Sequence, residues 1–475
     1  MKTRKSFTRR QFMWLCGMGT ASAALAACGA TPTPSPAQPT QAPATQAVET
    51  TEPEATAAAG AAAAKYQECT LQYWIWHDPQ RETVQKRCDL FTAKYPQVKV
   101  KVETIPWGEY WPKLQTAIAA GTPPDLMWMH PGEFKSRVAK GVFVNLQPYI
   151  DASAELQEMQ AAAWPTCVAN YQWNCEQYGI PRNAATVAVG FNEDLVKEAG
   201  LPLPTEVEDE WDWNKLLEYA KTLTKTEGDT TSQWGWYGSE MSYHFYGPFV
   251  YSNGGQLIDQ KTWRAVCDSE QTIQAFQFLS DMVLKDRVDP GPQVIASGAG
   301  SWELFSTGKI AMISFGSWEC DGMNEAQNLH YNVAQVPFSP YSKNRTVHTI
   351  GLSCCVPVGT KYREEASGVA LTKWSKEAQE IVGPEIPVRA DVGDKWASRP
   401  PANRIAYLKE LEYGKVLPVH PTVTEAEMYK VLDDQLTLIY TGKIQPKEGL
   451  TTAAQGINAL VDQAGAIPSG FEACS

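Results

Sequence analysis

Three tryptophans stand where strands are expected to end. Trp76 closes the run Leu71-Gln72-Tyr73-Trp74-Ile75-Trp76, and Trp128 closes Leu126-Met127-Trp128-Met129. Trp318 follows Gly316-Ser317 after an apolar run that reaches Phe315. In open α/β sheets ligands bind outside the carboxyl ends of the strands, so all three indoles fall where a ligand would lie. A flat aromatic face suits the C–H face of a pyranose, because it supplies dispersion and apolar burial without demanding a charge. Hydroxyls around the ring rim then need donors and acceptors. His77 and His130 flank the first two tryptophans, Asp125 precedes the second, and Glu319 follows the third. Arg182 and Asn183 come just after Ile180-Pro181. Together these residues make an aromatic floor with a polar rim, the chemistry of an uncharged, hydroxyl-rich ligand.

Each has a plainer reading. Most of the 17 tryptophans are expected in the core. Asp125 follows two prolines, as a turn or cap carboxylate would. A strand-end histidine can bond the backbone, and Arg182 can pair with a carboxylate. Catalysis on a sugar would need two carboxylates at a set separation. The densest acidic run, Glu208-Asp209-Glu210, reads as a solvated turn. The chain contains no Gly-x-Ser-x-Gly elbow, phosphate loop or His-Glu-x-x-His step. Its cysteines and histidines lack zinc spacing, so neither cofactor nor metal is expected.

The elements that must hold these residues alternate. Arg81 to Tyr95 is amphipathic, with Val84, Cys88, Phe91 and Tyr95 on one side, and Val98 to Val102 reads as a strand. Trp111 to Ala120 has helical spacing and stops at Gly121 and two prolines. The unbroken apolar run that follows, Leu126 to Met129, marks a buried parallel strand. Further on, strands are expected over 185–191, 233–238 and 333–337, with helices over 271–285 and 453–464. Strand and helix in alternation define the α/β class.

The first 64 residues are set apart. Thr8-Arg9-Arg10-Gln11-Phe12-Met13 looks like a twin-arginine export signal. The apolar stretch from Phe12 to Ala27 is short for a membrane span. It ends in Leu25-Ala26-Ala27-Cys28, which resembles a lipobox. Residues 1–28 therefore read as a signal peptide, with Cys28 as the lipid-bearing residue; an ordinary signal with an incidental cysteine is the alternative. Residues 29–64, mostly Pro, Thr, Ala and Gln, are a disordered tether by composition. Export permits disulfides, and Cys167 with Cys175, which bracket Val168 to Asn174, is the favoured pair. The formal net charge of −12 disfavours nucleic acid as a partner.

Several runs resemble the extracytoplasmic solute-binding proteins of ABC sugar importers. They are Ala119-Ala120-Gly121-Thr122-Pro123-Pro124-Asp125-Leu126 with its strand, Phe91-x-x-x-Tyr95-Pro96-x-Val98, Gly141-Val142-Phe143-Val144-Asn145-Leu146, and Tyr178-Gly179-Ile180-Pro181. The most specific is the stretch Trp302 to Trp318, with its Gly308-Lys309 turn and Gly316-Ser317-Trp318 ending. The resemblance implies a two-lobed periplasmic-binding-protein fold with discontinuous lobes, a hinge and a ligand cleft between them. By that likeness the first lobe takes 66–181 and 338–386, the second 182–337 and 387–475. It also implies that Trp318 stacks on the ligand, that His244 and Tyr246 supply second-lobe contacts, and that Arg389 lies near the cleft. Where maltose-binding members carry an Asp-Arg pair after the Trp-x-His step, this chain has Pro131-Gly132, with Glu133 next. The implied protein is a monomeric receptor, lipid-anchored outside the cell membrane. It captures a carbohydrate, in particular an oligosaccharide, and delivers it unaltered to ABC permease subunits. The alternatives are a secreted carbohydrate-active enzyme and a surface adhesin.

Overall fold

A computed structural model describes residues 65–467 apart from 229 and 299. The export signal, the 29–64 tether, Cys28 and Cys474 lie outside the described residues.

Alternating burial along β1 (Cys69–Ile75) puts Leu71, Tyr73 and Ile75 on a core face. Helix α1 (Arg81–Lys94) returns the chain to β2 (Val98–Thr104), which runs parallel to β1 in the register Cys69↔Val98 to Ile75↔Thr104. Helix α2 (Trp107–Ala119) then leads to β3 (Leu126–Met129), parallel to β1 on its other side. This helix begins four residues before the expected Trp111, because Gly108 and Pro112 disguise its first turns in the sequence. All four residues of β3 are buried. Leu126 and Trp128 face one apolar cluster, with Leu71 and Tyr73. Met127 and Met129 face another, with Tyr110, Leu114 and Phe134. A sheet covered on both faces is the reason for the unbroken apolar run.

Helices α3 (Pro131–Val138), α4 (Ala154–Ala161) and α5 (Pro165–Ala169) follow. A small hairpin, β4 (Gln172–Trp173) and β5 (Glu176–Gln177), then leads into β6 (Gly179–Pro181). The first sheet is completed from far along the chain: β12 (Ser353–Cys355) pairs antiparallel with both β3 and β6, giving the order β2-β1-β3-β12-β6.

The second lobe has its own three-stranded antiparallel sheet. Its middle strand is β7 (Val187–Asn192), flanked by β10 (Met312–Gly316) and β11 (Tyr331–Ala334). A hairpin of β8 (Lys225–Glu227) and β9 (Thr230–Gln233) lies apart from it. The strand expected over 233–238 reduces to isolated bridges, Trp234 with Ile310 and Tyr237 with Ile313. Helices α6 (Trp213–Leu223), α7 (Tyr243–Ser252), α8 (Glu270–Leu284), α9 (Ala406–Glu412), α10 (Glu425–Tyr440) and α11 (Pro446–Ala464) belong to this half. Trp211, Trp213, Phe249, Phe276, Leu432 and Ile457 form its core.

Three stretches of chain cross between the lobes side by side. Arg182 donates its N–H to Leu352 O at 2.9 Å, Ile350 to Ala185 O at 2.8 Å, and Ala184 to Ile386 O at 2.9 Å. At Gly351 φ is +129°, and an added Cβ would lie 2.6 Å from Asn183 O, so this crossing needs glycine. Residues 338–347, expected with the first lobe, hydrogen-bond to the second. Ser339 Oγ donates to Asn253 Oδ1 at 2.7 Å, and Thr346 N to Ser252 Oγ at 2.9 Å.

The expected Cys167–Cys175 pair is not formed. Cys167 is a free thiol on α5, buried in the first-lobe core. Cys175 sits exposed at the tip of the β4–β5 hairpin. There Asn174 and Cys175 take φ of 51° and 60°, the double left-handed turn that joins two-residue hairpins. Cys175 is thus exposed at a turn, whereas Cys167 lies in the core. Cys175 is nonetheless disulfide-bonded.

Candidate functional site

Aromatic rings gather on both sides of the seam between the lobes. On the first side Trp76, just past β1, stands edge-on to Trp107 and to Trp128, each at 5.1 Å between centroids, with Trp111 at 5.5 Å. Trp107 opens α2 and is 50% exposed, so this platform shows an indole to solvent. His130 ends β3 and caps α3, its Nδ1 accepting from Gly132 N at 3.2 Å.

On the second side His244 of α7 lies 5.9 Å from His130 and 5.8 Å from Trp318. Trp318 follows β10 and is half-buried against Val187, Phe245, Val336 and Val347. Its indole folds back over Gly316, where a Cβ would come within 2.4 Å of the ring. The Gly-Ser-Trp step is thus a packing requirement: the glycine gives the indole its place.

The second wall is acidic. Burial pushes Glu240 up to about 7, and the charge of Glu319 adds to the effect. Glu319 is itself raised by burial, with a hydrogen bond from Trp318 opposing. Burial, then His130 and His348, holds the His244 imidazole well below its ordinary range. Burial thus disfavours the charged forms along this wall, which suits hydroxyls that both donate and accept.

The lobes touch where these walls meet. Glu425, the first residue of α10, puts Oε2 3.4 Å from His130 Nδ1. Its carboxylate fills the space over Gly132, where a Cβ would come within 1.1 Å of it. Nearby, Lys135 of α3 places its ammonium 5.2 Å from the Trp263 ring centre, and burial pushes this lysine down to about 8.

The remaining expected site residues are placed differently. Trp128 is fully buried, and the Arg182 guanidinium lies 3.6 Å over its ring. Arg182 in turn pairs with Glu385 at 2.5 Å and donates to Gln80 Oε1 at 2.8 Å, inside the first lobe. His77 is half-buried beside this pair, its imidazole lowered chiefly by burial. Asp125 lies at the amino end of β3, opposite to His130, and its carboxylate accepts from Gln72 N at 2.8 Å and Thr360 Oγ1 at 2.6 Å. Asn183 serves the crossing, accepting from Leu352 N at 2.8 Å. Tyr246 is buried in the second-lobe core against Phe276. Arg389 is held by a two-pronged pair with Asp391. The structure thus brings together Trp76, His130, His244, Trp318 and Glu319. It adds Trp107, Glu240 and Glu425, which sequence reasoning missed. The aromatic density of Trp107-Gly108-Glu109-Tyr110-Trp111 was the available signal for the first of these.

Two cavities open elsewhere, about 530 Å³ beside Phe143, Trp173 and Tyr178, and about 770 Å³ beside Tyr251, Gln256 and His348. Neither is lined by Trp76, His130, His244 or Trp318. Among the described residues no group of three or more His, Cys, Asp or Glu side chains is arranged to hold a metal ion.

Comparison with known proteins agrees with this architecture. The chain is 23% identical over 393 residues to the galactooligosaccharide-binding protein of Bacillus subtilis (strain 168), covering 80% of this chain and 87% of the relative. It is 22% identical over 363 residues to the arabinooligosaccharide-binding protein of the same organism, covering 74% and 80%. Its fold matches the ABC substrate-binding protein Lmo0181 from Listeria monocytogenes, solved in complex with cycloalternan. There the TM-score is 0.74 at 23% identity, over 83% of this chain and 99% of that one. A family model described as bacterial extracellular solute-binding protein matches residues 77–380, and with two hinged lobes and an aromatic seam between them the chain belongs to that family.

Proposed function

We propose that this protein captures a carbohydrate, in particular an oligosaccharide, between its lobes and delivers it to the permease subunits of an ABC importer. The observation that carries the reading is the pairing of two aromatic walls across one seam, Trp76 and Trp107 on one lobe and Trp318 with His244 on the other. Indoles on both sides clasp the two faces of a sugar ring, and His130, His244, Glu240 and Glu319 meet its hydroxyls. The oligosaccharide ligands named for the relatives support that ligand class. Hinged closure needs no reactive group, only a ligand that binds the closed state better. A thermal-shift panel of oligosaccharides tests the reading. A ligand at about 100 times its Kd is expected to add about 2.7 kcal/mol of stability. No response to any carbohydrate would overturn it.

The Leu25-Ala26-Ala27-Cys28 step supports export followed by lipid attachment at Cys28, with residues 29–64 as the tether of a monomer held outside the membrane. Mass spectrometry of the mature amino terminus is expected to find Cys28 first and acylated. An unmodified Cys28, or cleavage elsewhere, would remove the anchor from the proposal.

A further inference from the structure

We infer that the larger cavity, about 770 Å³, is a second ligand site and takes a sugar acid, a hydroxyl-rich molecule that carries a carboxylate. Its size is that of a small-molecule pocket. The site does not rest on the carbohydrate seam, since none of Trp76, His130, His244 and Trp318 lines it. The first lobe contributes Thr166 of α5, and the second lobe Tyr251 of α7 with Gln256 and Lys261. His348 and Lys415, paired as a parallel bridge beside the crossing, complete the wall. Lys415 N donates to Val347 O at 2.9 Å, and Thr349 N to Lys415 O at 3.0 Å. The Thr166 hydroxyl donates to that of Thr349 at 2.8 Å, which joins this wall to the first lobe.

Charge and an idle imidazole set the ligand class. In a chain of formal net charge −12 the lining carries the opposite sign. Lys261 and Lys415 are its cations, and among the described residues neither ammonium has an ion pair or a hydrogen bond. Asp259 is the one carboxylate in the lining, and its Oδ1 is engaged by its own turn. That oxygen accepts from Lys261 N at 2.8 Å, Thr262 N at 2.7 Å and Thr262 Oγ1 at 3.0 Å. Two ammonium groups without partners in the wall of one cavity suit an anion. An inorganic ion would leave most of the space unfilled, and His348 shows what else is read. It is 6% exposed and stands edge-on to Tyr251 at 4.0 Å. Among the described residues its ring nitrogens have no hydrogen-bond partner, although it lines the cavity. Burial lowers this imidazole to about 3, so it is neutral, with one nitrogen donating and the other accepting. Leaving such a group without a partner is costly, and a hydroxyl can satisfy either nitrogen.

Titration calorimetry of the purified protein with galacturonate, glucuronate and gluconate tests the inference, with galactose and inorganic phosphate as controls. It needs no oligosaccharide, so its failure is separable from failure of the carbohydrate reading. At least one sugar acid is expected to bind at one site per chain, more weakly as salt is raised. Affinity is expected to fall about 10-fold or more in Lys261→Gln and in Lys415→Gln. Both side chains are exposed, so the variants keep the fold. Galactose is expected to show no dependence on either lysine, and phosphate to bind more weakly than the acid. No binding by any of the three acids, or binding unchanged in both variants, overturns the inference. Phosphate binding as tightly as the best acid means that charge alone is read, and the sugar-acid assignment fails. Protein saturated with an oligosaccharide from the thermal screen is expected to bind the acid still. Displacement of one by the other at a single site puts the acid in the seam and overturns the second site.

Discussion

Glu385→Ala is expected to lower stability by about 3–5 kcal/mol, the cost of leaving buried charge unpaired. Glu385 stands 2.5 Å from Arg182 Nη1 and 3.8 Å from Arg87 Nη1, and all three side chains are 2% exposed. Burial pulls the Arg87 guanidinium down, and the charge of Glu385 opposes that pull. Alanine leaves two guanidinium groups facing each other in the dark, one of them resting on Trp128. The same carboxylate sits beside the Ala184–Ile386 crossing, so the hinge would loosen as well. Urea unfolding should show the midpoint falling with an unchanged slope. A loss below about 1 kcal/mol would mean that the arginines find water or another acceptor, and that this network is not what holds the first lobe to its crossing strands.

Trp318→Ala is expected to weaken ligand binding by about 2–4 kcal/mol, a loss of roughly 30- to 1000-fold, as for a central aromatic anchor. The indole is half-buried, and it leans on His244 across the seam from the first-lobe platform. Truncation removes one of the two flat walls and leaves the other. Calorimetry against whichever oligosaccharide answers the thermal screen measures the loss. Trp107→Ala tests the opposite wall, with a smaller penalty expected because half of that ring already faces water. If Trp318→Ala binds as tightly as wild type while Trp107→Ala does not, the ligand lies on one lobe alone and the two-walled account is wrong.

The strands and helices with a clear period were legible in the sequence. β3 stood out because both of its faces are covered, and the turn at Gly121 announced it. The positions of indoles at strand ends were legible too, but which face each ring would take was not. Trp128 and Trp107 belong to one cluster, yet the first is buried under Arg182 and the second is half in solvent. Asp125 and Arg182 show why residue type and local spacing fall short. Each is engaged by a partner about 200 residues or more along the chain, Thr360 for one and Glu385 for the other, and nothing near them in the sequence signals that partner. Cys167 and Cys175 are close in sequence, but the first lies buried on a helix and the second exposed at a tight hairpin turn. Glu425 escaped notice because a first-turn acid is ordinary helix chemistry, until it is seen filling the gap over Gly132 in the other lobe.

The place of β12 bears on how the chain must be made. Among the described residues it alone joins β3 to β6, and it is the last strand of that sheet to leave the ribosome. Until residue 355 has been synthesised, two strand edges stand bare, with amide and carbonyl groups that any passing chain can pair with. Contacts this distant in sequence form late and slowly. A message truncated before that point is therefore expected to yield an aggregation-prone fragment instead of a working half-receptor.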